Sequence, residues 1–141
     1  MTVKVITINT DEEIQACFRV LAQLRPHLKE EAFINTIRAQ FNKGYQLAAV
    51  TSKSDVVAVA GFHLRENLAW GKYLYVEDLV SEQDQRSTGL GHILLKWLHN
   101  QAKENNCEQL HLDSGIQRKD AHRFYEREGM MFASHHYVTI L

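Results

Sequence analysis

Gly89 and Gly91 stand between a stretch with strand composition and one with helical spacing. Before them, Tyr73-Leu74-Tyr75-Val76-Glu77-Asp78-Leu79-Val80 is rich in aromatic and β-branched residues, which predicts a strand. After them, Leu90, Ile93, Leu94, Trp97, Leu98 and Ala102 recur at helical intervals. The segment Arg86-Ser87-Thr88-Gly89-Leu90-Gly91 is therefore a strand-to-helix turn, and it commits the chain to a layered α/β arrangement. Glycine lets a ligand approach the backbone closely. The free N–H groups of a helix's first turn, with the helix dipole, favour a bound anion. The turn reads as a pyrophosphate cradle.

Two familiar cradles do not fit. A Walker loop ends in Gly-Lys-Ser/Thr, whereas here Gly91 is followed by His92 and Ile93. A dinucleotide fingerprint needs a third glycine where Leu94 stands, and it opens the first strand–helix unit of its domain. A second segment narrows the choice. Asp120 is placed to cap a short helix from Ala121 to Glu128, and Gly129 suits the left-handed position that ends it. That helix carries Ala121, then Phe124-Tyr125, then Gly129.

Arg-x-x-Gly-x-Gly on a strand-to-helix turn, followed by an Ala-x-x-Phe-Tyr-x-x-x-Gly helix, resembles the two coenzyme A-binding motifs of the GNAT superfamily of N-acetyltransferases. The resemblance runs from the strand near Tyr45 to the C-terminus. Two departures stand out: Arg118 occupies the second motif's usual Asn position, and Met130 replaces the aromatic after its glycine. The run Arg118 to Tyr125 and the late Ser134-His135-His136 are most similar to a small branch that includes aminoalkylphosphonate acetyltransferases. The resemblance implies a mixed, mostly antiparallel sheet of six or seven strands flanked by about four helices. It also implies acetyl-CoA as co-substrate.

Length and composition suit one soluble domain, and the resemblance implies that it is a single N-acetyltransferase domain over residues 1–141. Sixteen basic residues against seventeen acidic ones leave a net charge of −1, which argues against nucleic acid or an anionic membrane as partner. No apolar run approaches a membrane span and no signal-peptide pattern opens the chain, so a cytoplasmic protein is expected. Cys17 and Cys107, the only cysteines, are then expected to stay reduced. No His-x-x-x-His or Cys-x-x-Cys spacing occurs, and adjacent His135 and His136 on a strand face opposite ways, so no metal site is expected.

The remaining elements follow from periodicity. A strand is predicted at Val3–Ile8, a helix capped by Asp11 and ended by Pro26, and a second helix over Glu30–Phe41. Strands are predicted at Tyr45–Val50 and Val56–Leu64, joined by a polar turn at 51–55. Strands at Gln109–Leu112 and Ser134–Leu141 complete the pattern. The oligomeric state is not legible, although a homodimer with sheets or C-terminal strands meeting suits such a fold.

Acetyl transfer from a thioester to an amine needs a base for the amine, a site for the oxyanion and a proton for the departing thiolate. The resemblance implies that Tyr125 is the general acid near the cofactor sulfur, the alternative being that Phe124 and Tyr125 only pack their helix. Glu77 and Asp78, on the strand feeding the cradle, are candidates for the base or for the substrate's counter-ion. Neighbouring strand residues face opposite ways unless a bulge intervenes, and Glu77 is favoured because it shares a face with Tyr75 and Leu79. The resemblance assigns cofactor contacts to Leu79, Val80 and Ser81 along the pantetheine arm. It assigns Arg86, Ser87, Thr88, Gly89, Leu90, Gly91 and His92 to the pyrophosphate, with Arg118, Ala121, His122, Phe124, Tyr125 and Arg127 on the second motif. The reading is direct transfer to the primary amine of a small molecule. A non-catalytic acyl-CoA sensor, or an enzyme acting on a protein amine, is the alternative.

Overall fold

The computed structural model describes residues 2–85 and 88–141, which fall into two compact units divided between His111 and Leu112. The first unit is built on one sheet with strand order β1-β2-β3-β4-β5. The strands are β1 (Val3–Thr7), β2 (Gln46–Ser52), β3 (Asp55–Asn67), β4 (Gly71–Ser81) and β5 (Gln109–Leu112). The first four pair antiparallel with their sequence neighbours. A helix, α4 (Leu90–Glu104), carries the chain from β4 over to β5, the kind of crossover that parallel neighbours require.

Five strands form among the described residues, against the six or seven expected. The missing one is Ser134–Leu141, where no strand forms. The strand pattern there is real, but a strand exists only when another backbone pairs with it.

The N-terminal helical region holds α1 (Asp11–Ala16), α2 (Phe18–Leu24) and α3 (Phe33–Phe41). Thr10, not Asp11, caps α1: its hydroxyl accepts from the Glu13 N–H, and the Glu13 carboxylate accepts from the N–H groups of Thr10 and Asn9. Those three bonds hold the Glu13 carboxyl below its usual range. The single helix expected here is interrupted at Cys17, whose N–H bonds to Ile14 in a tightened i−3 turn, so five α-helices are found among the described residues in place of about four.

Both faces of the sheet are covered. Leu47, Ala49, Val59 and Val80 meet Ile14, Val20, Leu21, Phe33 and Ile37 of α1–α3 in one core. On the other face α4 buries Leu90, Leu94, Leu95 and Leu98, and the Trp97 ring meets Phe62 edge-on at 5.8 Å. Strands covered on both sides read as near-continuous apolar runs, which accounts for Val56–Phe62.

The second unit contains α5 (Lys119–Arg127). Arg118 occupies the N-cap position without a side-chain cap; Asp120 sits inside the first turn, ion-paired with Arg123, and does not cap as expected. Gly129 takes the left-handed conformation expected of it, with φ +92°.

Candidate active site

The centre of the first unit's chemistry is a β-bulge. Along β3 and β4 the pairing passes from Gly61–Asp78 to Phe62–Val76, which leaves Glu77 as an extra residue. A bulge shifts the alternation of side chains by one. Val76 stays on the α4 face with Phe62, Glu77 turns to the α1–α3 face, and Asp78 turns there too. The bulge is the exception that the alternation rule allowed for, so both carboxylates come to a common side, and Leu79, paired with Ala60, moves off the face of Glu77 on which it was expected.

Asp78 is fully engaged. Its Oδ2 accepts from the Tyr45 hydroxyl at 2.6 Å and its Oδ1 from Arg25 Nε at 2.8 Å. A second Arg25 nitrogen, Nη2, donates to the Glu77 carbonyl at 3.0 Å, so one guanidinium holds both bulge residues. Arg25 is placed by its sequence neighbour. Pro26 keeps the residue before it out of the helical region, and Arg25 ends α2 at φ −122° and ψ 75°. Tyr45 crosses the sheet over Gly61, where no side chain obstructs the phenol. Burial, then the adjacent Asp78 charge and hydrogen bond, raise the Tyr45 phenol far above its ordinary range, so it acts here as a fixed donor.

Glu77 is the more available carboxylate. Its side chain is 35% exposed against 13% for Asp78. One oxygen lies 2.8 Å from Nδ1 of the buried His63 and 3.7 Å from Arg65. The His63 approach is close but poorly aligned, and Nδ1 has no well-formed hydrogen bond. His63 is held by packing against Tyr45, ring centres 5.7 Å apart.

Downstream on β4, Val80 is buried while Leu79 and Ser81 are half-buried, and all three pair with β3 residues 58–60. Glu82 follows, buried yet charged, anchored by Arg19 and by the Gln23 amide, whose nitrogen donates to Glu82 at 2.8 Å and whose oxygen accepts from the Gln83 N–H at 3.0 Å. Two α2 side chains therefore tether the start of the glycine turn. Arg86 and Ser87 lie outside the described residues. Thr88 donates to the Gln85 carbonyl at 2.5 Å, and Gly89 opens α4 in the left-handed conformation with φ +87°. Among the described residues no side chain caps α4, and a β-carbon on Gly89 would meet none of their atoms within 4 Å. Leu90 is buried, Gly91 half-buried and His92 exposed.

In the second unit, Ala121, His122, Phe124 and Tyr125 are half-buried, while Arg118 and Arg127 are exposed. His122 Nε2 lies 2.7 Å from the Gly115 carbonyl, and Phe124 and Tyr125 are in ring contact at 5.3 Å. Burial raises the Tyr125 phenol above its usual value, partly offset by the Arg118 charge. A depression of about 320 Å³ at the start of α5 is lined by Gln117, Arg118, Lys119, Asp120 and Ala121. Cys17 and Cys107 are free thiols. No cluster of three or more metal-ligating side chains occurs among the described residues, nor does any helix long and apolar enough to cross a membrane.

Residues 9–130 match the model of the Acetyltransferase (GNAT) family. The chain belongs to the GNAT acetyltransferase family. It is 32% identical over 119 residues to an uncharacterized N-acetyltransferase, YhdJ, of Bacillus subtilis, covering 84% of each protein. It is 29% identical over 125 residues to the aminoalkylphosphonate N-acetyltransferase of Salmonella typhimurium, covering 85% of this chain and 80% of that protein. Among solved structures, the aminoglycoside N-acetyltransferase AAC(6')-Iy in complex with CoA superposes with a TM-score of 0.88 over 99% of this chain and 95% of its own, at 10% identity. This last likeness is one of fold alone. The protein is an acyltransferase of the GNAT type, as its motifs implied.

Arg25, Tyr45, His63 and Arg65 around the carboxylates, and Glu82 with Gln23 behind the turn, were not legible in the sequence. The Arg-Pro pair ending an amphipathic helix was the one local signal available.

Proposed function

We propose that this chain, as a single catalytic domain over residues 1–141, transfers the acetyl group of acetyl-CoA to the primary amine of a small molecule by direct transfer. The observation that carries the reading is the bulge, with two carboxylates turned to one face and only Glu77 left available, on the strand that leads into the glycine turn.

Acetyl-CoA supplies an acetyl group activated as a thioester. The turn suits its phosphates: among the described residues no side chain caps α4, and none crowds the backbone of Gly89. The backbone of Leu79, Val80 and Ser81 and the turn residues through His92 are the proposed binding groups. Glu77 accepts the proton that the acceptor ammonium loses. Asp78, with both oxygens occupied, fixes the bulge and the Glu77 backbone through Arg25. Proton donation by Tyr125 to the leaving sulfur, and contacts to the cofactor from Arg118, Ala121, His122, Phe124 and Arg127, belong to the same proposal and rest on their motif positions.

An aminoalkylphosphonate, or an amine of similar size with an anionic end, is the proposed acceptor class. The likeness to the Salmonella typhimurium enzyme supports it, as does the pairing of a carboxylate for the ammonium with the half-exposed Arg65 beside it. The test is the initial rate of thiol release from acetyl-CoA against aminoalkylphosphonates, polyamines and amino acids. Saturable turnover on a phosphonate amine is expected, lowered ~10²–10⁴-fold in kcat/KM by Glu77→Gln. Tight coenzyme A binding with no amine acetylated would overturn the catalytic reading in favour of a sensor. Turnover confined to polyamines would overturn the acceptor class.

A further inference from the structure

His63 is a buried imidazole with a carboxylate in reach and no bond to it. The residue is 5% exposed, and among the described residues Nδ1 has no hydrogen-bond partner. A buried polar nitrogen left unpaired costs stability, and in a native protein such a group calls for an explanation. The fold does not ask for a polar side chain here, since the run before it on β3, Val56 to Phe62, is buried and apolar throughout.

Glu77 Oε1 lies 2.8 Å from Nδ1, a hydrogen-bonding distance, so only the direction is missing. The ring cannot turn to supply it. Tyr45, itself 5% exposed and tied to Asp78, packs against the imidazole, and a β-carbon on Gly44 would already lie 3.6 Å from its Cδ2. The carboxylate can turn: its side chain is 35% exposed, and the last torsion of a glutamate is broad. Arg65 approaches the same Oε1 at 3.7 Å, so both donors gather at one oxygen and Oε2 is the one left to an acceptor.

We propose that His63 is a positioning residue for acetyl transfer: its Nδ1–H donates to Glu77 Oε1 when an acceptor ammonium binds Oε2, and this bond aims the base. The inference rests on the reading of Glu77 as the group that takes the acceptor's proton. A carboxylate beside Nδ1 favours the tautomer with the proton on that nitrogen. One proton passes from the ammonium nitrogen to Oε2. The nitrogen keeps the electron pair that attacks the thioester carbon, and His63 keeps its own proton throughout. Catalytic hydrogen bonds are often poorly aligned in a free enzyme and tighten once substrate is bound.

Two substitutions separate this role from packing. His63→Leu fills the site without a donor, whereas His63→Asn offers an amide N–H in place of Nδ1 but fills the site less well. The readouts are Tm, and the kcat and KM of thiol release from acetyl-CoA with aminoethylphosphonate or whichever amine of the panel turns over fastest. His63→Leu is expected to melt at or above the native Tm, because the unpaired nitrogen is gone, yet to lose ~10–100-fold in kcat with KM for the amine within about threefold. His63→Asn is expected to melt lower and to keep kcat within about fivefold of native. In the Glu77→Gln background His63→Leu should lower kcat no further, as befits a residue that acts through Glu77. Native kcat in His63→Leu, or an equal loss in the two variants, would overturn the proposal. So would a Tm for His63→Leu well below native, since Nδ1 would then be partnered in the resting protein. Native rates in Glu77→Gln would instead overturn the reading of Glu77 as base, so the two failures are told apart.

Discussion

Gly61→Ala is the substitution on which the geometry speaks most sharply. Gly61 is not among the residues with positive φ, so the backbone itself accepts alanine. The obstacle is the Tyr45 ring, which passes over the glycine: an added β-carbon would overlap the phenol oxygen and its ring carbon Cζ, and would lie 2.7 Å from Cε1. Tyr45 is only 5% exposed and has nowhere to retreat without releasing Asp78. Overpacking a filled core costs ~1–3 kcal/mol. Losing a hydrogen bond to a carboxylate costs ~1.5–3 kcal/mol more. A total of about 2.5–6 kcal/mol corresponds, at ~3 °C per kcal/mol for a chain of this size, to a Tm lowered by about 8–18 °C. The assay is thermal and urea unfolding followed by circular dichroism, in the native background and with Tyr45→Leu. Leucine removes the ring from above the glycine, so alanine there should cost less than ~1 kcal/mol, a coupling of at least ~1.5 kcal/mol. Equal costs in the two backgrounds, or less than ~0.5 kcal/mol in the native one, would refute the reasoning.

The two bulge carboxylates should separate by assay. Glu77→Gln is expected to lose activity with Tm within ~2 °C, whereas Asp78→Asn, stripped of its charged bond to Arg25, should lose ~1.5–3 kcal/mol of stability. A stable, inactive Asp78→Asn beside an active Glu77→Gln would reverse the assignment. Gly89→Val forces a β-branched residue to φ +87°, a strain of ~1–2 kcal/mol, and fills the open space above the turn. Coenzyme A affinity should fall more than ~10-fold, and calorimetry showing unchanged binding would remove the cradle. Burial, with a smaller contribution from Glu13, pushes the Cys17 thiol up from 9.0 to about 12. Above pH 9 the unfolded thiol ionises while the folded one keeps its proton. The stability that Cys17 contributes is therefore complete below about pH 9 and is lost as pH rises towards about 12, by at most ~1.4 kcal/mol per pH unit. Cys17→Ala should flatten the alkaline limb of a stability–pH curve by that amount; superimposable slopes would show that Cys17 does not titrate there.

The strand, glycine turn and helix from Tyr73 to Ala102 were legible because each is a local pattern: β-branched composition, a residue free to take positive φ, and a 3.6-residue period. The family followed from the same local patterns, since both motifs are contiguous in the chain. The capping of α1 was misplaced by one residue because Thr10 and Asp11 are both competent caps, and the choice went to the one whose partner, Glu13, closes a capping box. The bulge was of another kind. Alternation along one strand assigns Glu77 and Asp78 to opposite faces, and nothing in β4 alone contradicts that. The extra residue exists only in the pairing with β3, where adjacent Gly61 and Phe62 take partners two residues apart, Asp78 and Val76. Arg25, 53 positions before Asp78, and Tyr45, 33 before it, likewise reach the carboxylate only after the sheet and α2 are packed. The C-terminal segment marks the same boundary from the other side, with strand composition and no strand. Sequence by itself determined the conformations that each residue's own backbone and side chain prefer, and hence the elements, the glycine turn and the family. Tertiary structure alone decided register, facing and pairing, because a ladder hydrogen bond belongs to two segments and is written in neither.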